Sequence, residues 1–458
     1  MNIGNYYQIL VGLTRESNRF SYPRSLKELV RTGDLDDVKQ LEDVLADEIA
    51  NVSLHENNGA EYFAFLAESA LLFALSRDAF DAFDGLADVV EKRLGGLKGA
   101  GSVGIDIAGW QWYFGYLQSA AARLKRQSTI ETFEREIDDI EWDEIGSEFI
   151  YKVSSITGFV YLNESNPDKK NKARFWLQKA VSEKEIAYTL VAMLNLADFY
   201  LGDEKAENQK RIEDLIAKLE GHASAATDQG LGRIYRAAVL DYQARALIFK
   251  SGGHDDDIVK IEENLRTVRE VEKNVSYDSK NTPSFVRAYL KLLFSNYYLS
   301  INSDELDKDD LEDLMAMAME DINEALSIAR RMKDTPLKNQ FRIEWMSVAA
   351  RRQTKISEKE LKEVLNEVKK SSNYRGYVRA AVAYAYFYQQ NGDTQKAYDL
   401  LMEMVRKGYK KVDAGGFFLV TNGIGAINTI FLNEVEQPGI SWMVNSLHDF
   451  FAHVADMI

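Results

Sequence analysis

The chain has 458 residues, of which 46% are hydrophobic and 28% charged, so it is long enough to bury large apolar cores and has the composition of a protein that folds. It contains no cysteine, which excludes disulfides, thiolate zinc sites and cysteine nucleophiles. The formal net charge of −16 at pH 7 disfavours nonspecific attraction to nucleic acid by the molecule as a whole.

The N-terminal segment, residues 1–20, has no basic start followed by an apolar core and a small-residue cleavage site. We therefore expect a cytoplasmic protein without a secretion signal. The stretch most similar to a membrane span is 415–433, which carries no charge but is interrupted by four glycines and by Thr421, Asn422, Asn428 and Thr429. This composition favours a buried helix and no membrane span.

Helical periodicity dominates the chain. Apolar residues recur at spacings of three and four, as at Tyr62, Leu66 and Phe73, and no comparable run alternates with period two. Each proline opens a stretch with this periodicity, which suits proline because a first-turn amide has no intrahelical acceptor. The sequence thus predicts an all-α fold of about twenty helices, each of roughly 12 to 22 residues, joined by short turns. The prolines are Pro23, Pro167, Pro283, Pro336 and Pro438.

A glycine-rich segment, 95–109, contains the Gly-x-Gly-x-x-Gly spacing of a dinucleotide-binding loop, starting at Gly99. Such a loop follows a strand, whereas 79–94 has the pattern of a charged amphipathic helix. No carboxylate lies between Asp106 and Glu131 to bind a ribose. We therefore predict a joint between two helices and no cofactor.

Metal and catalytic motifs are also missing. No glutamate stands three residues before any of the five histidines, and no two histidines lie four residues apart. The acidic segment 303–314 fits a calcium loop only if Asp307 takes the first position, where Glu312 then replaces the required glycine. The acidic cluster 134–144 is expected by chance in so acidic a chain, and no nucleophile elbow is present. We expect no metal ion and no enzyme activity.

One segment, 378–411, carries a recognisable repeat pattern. A small residue is followed three residues later by an aromatic one, a Gly-Asp turn comes next, and a small residue and a leucine mark the second helix; these are Ala385, Tyr388, Gly392, Asp393, Ala397 and Leu401. The segment resembles a tetratricopeptide repeat, although the family's closing proline is absent and Ala381 replaces its first tryptophan. Looser matches occur elsewhere at irregular intervals.

That resemblance implies an α-solenoid of antiparallel helical hairpins, a tetratricopeptide-like superhelix. A small residue lets the two helices approach closely, glycine permits the positive φ of the turn, and Asp393 is placed to cap the second helix. A compact all-helical protein of several bundles is the alternative.

Charge divides the chain into regions. Residues 330–411 contain 19 Lys or Arg against 9 Asp or Glu, whereas 412–458 contain five acids and no Lys or Arg. We therefore predict an acidic helical-repeat region over 1–329 and a C-terminal repeat region over 330–458. In the latter, the basic hairpins 330–411 precede capping helices over 412–458.

The resemblance also implies a binding groove. In tetratricopeptide folds, positions two, five, nine and twelve of the first helix of a repeat face the concave surface. On this chain those positions are Arg379, Val382, Tyr386 and Gln389, and Arg351 takes position nine one hairpin earlier if Ala350 is the small residue there. Arginine can form bidentate hydrogen bonds with a carboxylate, and tyrosine supplies a flat contact surface.

These patterns favour a non-enzymatic scaffold or adaptor that binds an acidic peptide or helix of another protein in the groove. A nucleic-acid-binding subunit of a larger assembly, acting through the basic 330–411 surface, is the alternative. An all-helical terpenoid or lipid enzyme is a third reading, but the chain has no DDxxD motif with a matching partner. The sequence leaves self-association and the partner's identity open.

Overall fold

The computed structural model describes residues 3–17, 19–32, 38–55, 58–96, 105–164, 166–184, 189–201, 206–225, 308–331, 357–370, 374–411 and 414–431, with scattered helical positions within 234–298 and 338–346. In these residues every regular element is an α-helix, so the predicted all-α fold class is confirmed. The solenoid arrangement stays a prediction.

Sixteen helices have both ends within the described residues. In chain order they are α1 (Ile3–Glu16), α2 (Arg24–Thr32), α3 (Val38–Asn51), α4 (Gly59–Ser76), α5 (Phe80–Gly96), α6 (Ile107–Lys125), α7 (Ile130–Asp138), α8 (Ser147–Leu162), α9 (Pro167–Glu183), α10 (Leu190–Leu201), α11 (Ala206–Ala225), α12 (Lys308–Arg331), α13 (Glu358–Lys370), α14 (Tyr374–Gln390), α15 (Thr394–Tyr409) and α16 (Ala414–Phe431).

The chain divides into two compact units. The first unit comprises residues 1–124 and 130–342, and the second unit comprises 125–129 and 343–458. The division therefore falls between residues 342 and 343, whereas the charge pattern places a boundary after residue 329.

Two helix starts follow the proline rule. Pro167 is the first residue of α9, and the preceding Asn166 side chain accepts a hydrogen bond of 2.9 Å from the Asp168 amide. Pro23 directly precedes α2. Because the first amide of a helix has no intrahelical acceptor, a helix loses no hydrogen bond when it starts at a proline, which has no amide proton. The other three prolines lie outside the described residues.

The core of the first unit includes α4, which packs against α1, α3 and α5. Fourteen of its residues are buried, among them Tyr62, Leu66 and Phe73. Within the described part of the chain, α4 is the one helix long and apolar enough to cross a membrane, and most of it is buried inside the protein. The weaker stretch at 415–433 overlaps α16, of which only Phe418–Ile427 forms a short apolar segment.

Helices flank the glycine-rich segment on both sides. The helix α5 ends at Gly96, and α6 begins at Ile107, where the Asp106 side chain accepts a 3.0 Å hydrogen bond from the Gly109 amide. A dinucleotide-binding loop requires a strand before it, and a helix stands there instead. Residues 97–104 themselves lie outside the described residues.

In the second unit, α14 and α15 form the predicted hairpin. Gly392 in the turn has a φ of 77°, which favours glycine, and Ala385, Ala397 and Leu401 are fully buried between the helices. The predicted cap by Asp393 is wrong: its side chain makes no capping hydrogen bond, and its carboxylate pairs with Lys396 at 2.9 Å.

Helices α15 and α16 approach each other closely through glycines. A Cβ added at Gly408 would lie 2.6 Å from the carbonyl oxygen of Gly416, and one added at Gly423 would lie 2.5 Å from a methyl group of Val405. The contact therefore has no room for side chains at these points. This explains two of the four glycines in the apolar 415–433 stretch, Gly416 and Gly423.

Candidate functional site

One line of residues along α14 remains accessible to solvent. Arg379 is exposed and the other members are partly buried, and their spacings of four, three, four and three place them on one helix face. We call this line the α14 stripe; it consists of Arg375, Arg379, Val382, Tyr386 and Gln389. The opposite face, with Tyr377, Ala381, Tyr384, Ala385 and Tyr388, is buried.

The structure brings four of the five residues predicted from the sequence onto this stripe: Arg379, Val382, Tyr386 and Gln389. The fifth, Arg351, lies outside the described residues. Sequence reasoning missed Arg375, which lies one helical turn before Arg379 and extends the basic end of the stripe. Its position four residues earlier was the signal that could have identified it.

The C-terminal end of the stripe borders α16. The Gln389 side-chain amide donates a 3.2 Å hydrogen bond to the carbonyl oxygen of Ile430, and α14 and α16 pack against each other. Because α15 reverses the chain between them, α14 and α16 run in the same direction. The Gln389 amide, which the sequence assigned to a bound peptide, is therefore engaged by the fold itself.

A polar network holds the buried side of α14 against α13. The hydroxyl groups of Tyr384 and Tyr388 donate to Glu358 Oε1 at 3.2 and 2.9 Å, and their rings stack with centroids 4.6 Å apart. Lys362 pairs with the same carboxylate oxygen at 3.0 Å. Hydrogen bonds from Lys362 and Tyr388 lower the pKa of Glu358, and burial raises the pKa of Tyr384, so the acceptor stays ionised and the donor protonated at pH 7.

The basic charge of the second unit is distributed over several helix faces. Among the described residues of 343–458, α14 places two arginines on the stripe, while the lysines and the remaining arginine lie on α13, in α15 or directly after it: Lys359, Lys362, Lys369, Lys370, Lys396, Arg406, Lys407, Lys410 and Lys411. The unit's other described basic residues, Lys125 and Arg126, lie at the end of α6 and directly after it. Several of these lysines pair with carboxylates nearby, as Lys396 does with Asp393. The stripe is thus a small basic segment that continues into an apolar one.

The first unit contains a separate cavity of about 420 Å³. Its walls come from α1, α4, α6 and α8, with Val191 from α10 and Ile105 and Asp106 from the segment before α6. A cavity of this size can hold a small organic ligand. The sequence analysis missed it because its residues come from helices far apart in the chain, and no local motif connects them.

The charged groups in the cavity wall are largely paired with one another. Lys152 pairs with Glu68 and lies 4.6 Å above the ring of Trp110, and Tyr113 donates a 3.0 Å hydrogen bond to the same carboxylate. The Lys152 and Glu68 side chains are only 12% and 14% exposed. Burial and the neighbouring Glu68 raise the pKa of Tyr113, so the phenol stays a donor.

A second pair in the wall joins Arg19 to Glu61, and Arg19 also lies 3.7 Å from Glu16. The cavity wall thus carries both positively and negatively charged side chains. In the part of the chain that the structure describes, no group of three or more His, Cys, Asp or Glu side chains is placed to hold a metal ion. The cavity therefore shows space and apolar surface, but no defined chemistry.

Comparison with known proteins found no match: no family model, curated protein or solved structure is similar to this chain. The molecule itself defines a class, a protein that is all-α throughout its described residues and bears an accessible arginine and aromatic stripe in its second unit.

Proposed function

We propose that the protein is a non-enzymatic helical-repeat scaffold or adaptor that binds an acidic segment of another protein along the α14 stripe. The observation that carries the proposal is the order of groups on the stripe. Two arginines, Arg375 and Arg379, are followed on the same face by Val382 and Tyr386, while most other residues of α14 are buried in packing.

The spacing of these groups defines the partner's chemistry. Seven residues separate Arg379 from Tyr386, which corresponds to about 10 Å along a helix. A guanidinium binds a carboxylate through two parallel hydrogen bonds, and a partly buried tyrosine offers apolar surface with a polar edge. The expected partner carries a carboxylate and an apolar side chain about 10 Å apart, which is two turns of a helix or three residues of an extended strand.

The packing of α14, α15 and α16 supports a repeat stack. Each of these helices contacts the other two, and α14 and α16 lie side by side in the same direction. Adjacent repeats of a helical solenoid have this arrangement, with the first helices of successive repeats forming one surface. We infer that the stripe belongs to such a surface and that α16 forms its neighbouring wall.

The test uses the full chain and synthetic fluorescent peptides of about 15 residues, in which a Glu-Glu pair and a leucine are separated by two helical turns or by three extended residues. Fluorescence anisotropy gives Kd for the wild-type protein, for Arg379→Glu and for the control Lys410→Glu. Lys410 is exposed at the end of α15 and lies off the stripe.

The proposal expects at least one acidic peptide to bind, with Kd increased roughly ten-fold or more by Arg379→Glu and little changed by Lys410→Glu. Binding should weaken as salt screens the arginine. A peptide with Lys-Lys in place of Glu-Glu should not bind. Absence of binding, or equal losses in both variants, would contradict the proposal. Retention of single-stranded nucleic acid at low salt, weakened by both variants, would instead support the nucleic-acid alternative.

A further inference from the structure

The first unit exposes an aromatic cluster on α9. Phe175 is 61% exposed, and it is the one large hydrophobic side chain so exposed in the described residues. It meets the ring of Trp176 edge-on at 5.2 Å, and Trp176 stacks on Trp142 at 5.4 Å. The Lys179 ammonium lies 3.8 Å above the Trp142 ring. Large exposed apolar groups with a polar rim are typical of interaction surfaces.

A basic strip lies on α9 beside this cluster. The helix carries five basic residues against two acidic ones: Lys169, Lys170, Lys172, Arg174 and Lys179 against Asp168 and Glu183. Lys169 and Lys172 pair with Glu134 inside the unit. Lys170 and Arg174 are exposed and form no ion pair with any described residue. These two cations are therefore available to a partner.

An acidic strip borders the cluster in the segment 138–148, which contains Trp142. This segment has six carboxylates and no Lys or Arg, and all six are exposed: Asp138, Asp139, Glu141, Asp143, Glu144 and Glu148. None of them forms an ion pair in the part of the chain that the structure describes. Because Trp142 stacks on Trp176, the acidic strip and α9 meet at the tryptophan pair.

Two strips of opposite charge thus lie side by side, joined by an aromatic centre, without neutralising each other. A contact with two-fold symmetry places a surface against an identical surface. If residue i of the first copy meets residue j of the second, then residue j of the first copy also meets residue i of the second. With the axis through the aromatic centre, the basic strip of each copy faces the acidic strip of its partner. A surface of this kind is complementary to itself, whereas a uniformly acidic or basic partner would match only half of it.

We propose that this patch is the contact between two copies of the chain in a symmetric homodimer. Phe175 and the tryptophan pair form the centre of the contact, and Lys170 and Arg174 pair with the partner's acidic strip. The dimer is independent of the α14 stripe and of what the stripe binds. Aromatic residues at the centre of a contact commonly dominate its affinity, with charged pairs at the rim setting orientation.

Analytical ultracentrifugation of the full chain across a concentration series up to roughly 0.1 mM tests the proposal. The wild-type protein should form a dimer whose Kd rises with salt. Phe175→Ser should raise Kd at least roughly ten-fold. The control Lys210→Glu with Lys218→Glu changes two exposed lysines on α11 and should leave Kd unchanged. Circular dichroism establishes that each variant is folded.

Charge reversal gives a second and more specific readout. A basic-reversed variant carries Lys170→Glu and Arg174→Glu, and an acid-reversed variant carries Asp143→Lys and Glu144→Lys. Each should be largely monomeric alone because like charges then face each other, whereas an equal mixture should form a heterodimer that is more stable than either homodimer.

A wild-type protein that stays monomeric over the whole series overturns the proposal. So does a dimer that is insensitive to Phe175→Ser and to both reversals, because its contact then lies elsewhere. Variants that lose the dimer but do not recover it on mixing overturn the self-complementary pairing. Loss in each variant with recovery in the mixture supports it.

Discussion

The contact between α15 and α16 predicts opposite effects for two glycine-to-alanine substitutions in the same hairpin. At Gly408 an added Cβ would lie 2.6 Å from the Gly416 carbonyl oxygen and 2.7 Å from Leu419 Cβ. At Gly425 the added Cβ would meet nothing within 4 Å. Both glycines lie within helices, so both variants add the same methyl group to a helix. Only the surroundings of that methyl group differ between the two variants.

The magnitudes follow from these distances. Ordinary contact begins at 3.4 Å, so Gly408→Ala forces the two helices apart by several tenths of an ångström, and the nearest obstacle is backbone that cannot rotate away. Overpacking of this kind costs about 1–3 kcal/mol. Replacing glycine by alanine within a helix gains up to about 1 kcal/mol, and less near a helix end such as that of α15. We expect Gly408→Ala to destabilise the hairpin by about 1–2 kcal/mol and Gly425→Ala to stabilise it by about 0.5–1 kcal/mol.

Amide hydrogen exchange in the full chain is the appropriate assay, because a protein of two units need not unfold in one step. Amides of α15 and α16 should exchange about ten-fold faster in Gly408→Ala and more slowly in Gly425→Ala than in the wild-type protein. Exchange in α8 and α9 serves as the internal reference. Equal protection of the hairpin in both variants would refute the close approach of α15 and α16 at Gly408.

Two further predictions concern charges in the first unit. Burial raises the pKa of Glu134, but hydrogen bonds from Lys169, Lys172 and Tyr161 outweigh it and lower the pKa to about 2. Glu134→Gln should therefore destabilise the first unit by about 1–3 kcal/mol at pH 7, measured by amide hydrogen exchange in α7, α8 and α9. The difference from the wild-type protein should disappear as the pH falls from 4.5 towards 2, and a difference that is constant with pH would contradict this. Arg123→Met should lower the free energy of unfolding by about 3–5 kcal/mol, because it leaves the buried Glu164 carboxylate without its arginine. Adding Glu164→Leu should recover most of this stability. Additive losses in the double variant would show that the two side chains are not coupled.

Local patterns in the sequence were enough to predict the hairpin of α14 and α15. The small residues Ala385 and Ala397 indicate where the two helices come into contact, and Gly392 indicates the turn between them. Each of these features depends on the local backbone, so the sequence nearby is enough to predict it. The tetratricopeptide resemblance selected Arg379, Val382 and Tyr386, and their helical spacing explains why the three share one face.

Contacts between distant segments could not be read in this way. The cavity joins Glu68 of α4, Trp110 of α6 and Lys152 of α8, and their meeting depends on how these helices pack. The stack of Trp142 on Trp176 is similarly invisible in either local segment. The failed cap at Asp393 has a different cause, because Lys396 lies three residues further on and competes for the same carboxylate.

The burial of α4 has a consequence for biosynthesis. This helix is apolar enough to be mistaken for a membrane segment, yet two of its packing partners, α1 and α3, precede it in the chain. They have therefore left the ribosome before α4 does, and only α5 among these neighbours has still to emerge. The order of the helices allows the nascent chain to shield this apolar helix almost as soon as it emerges.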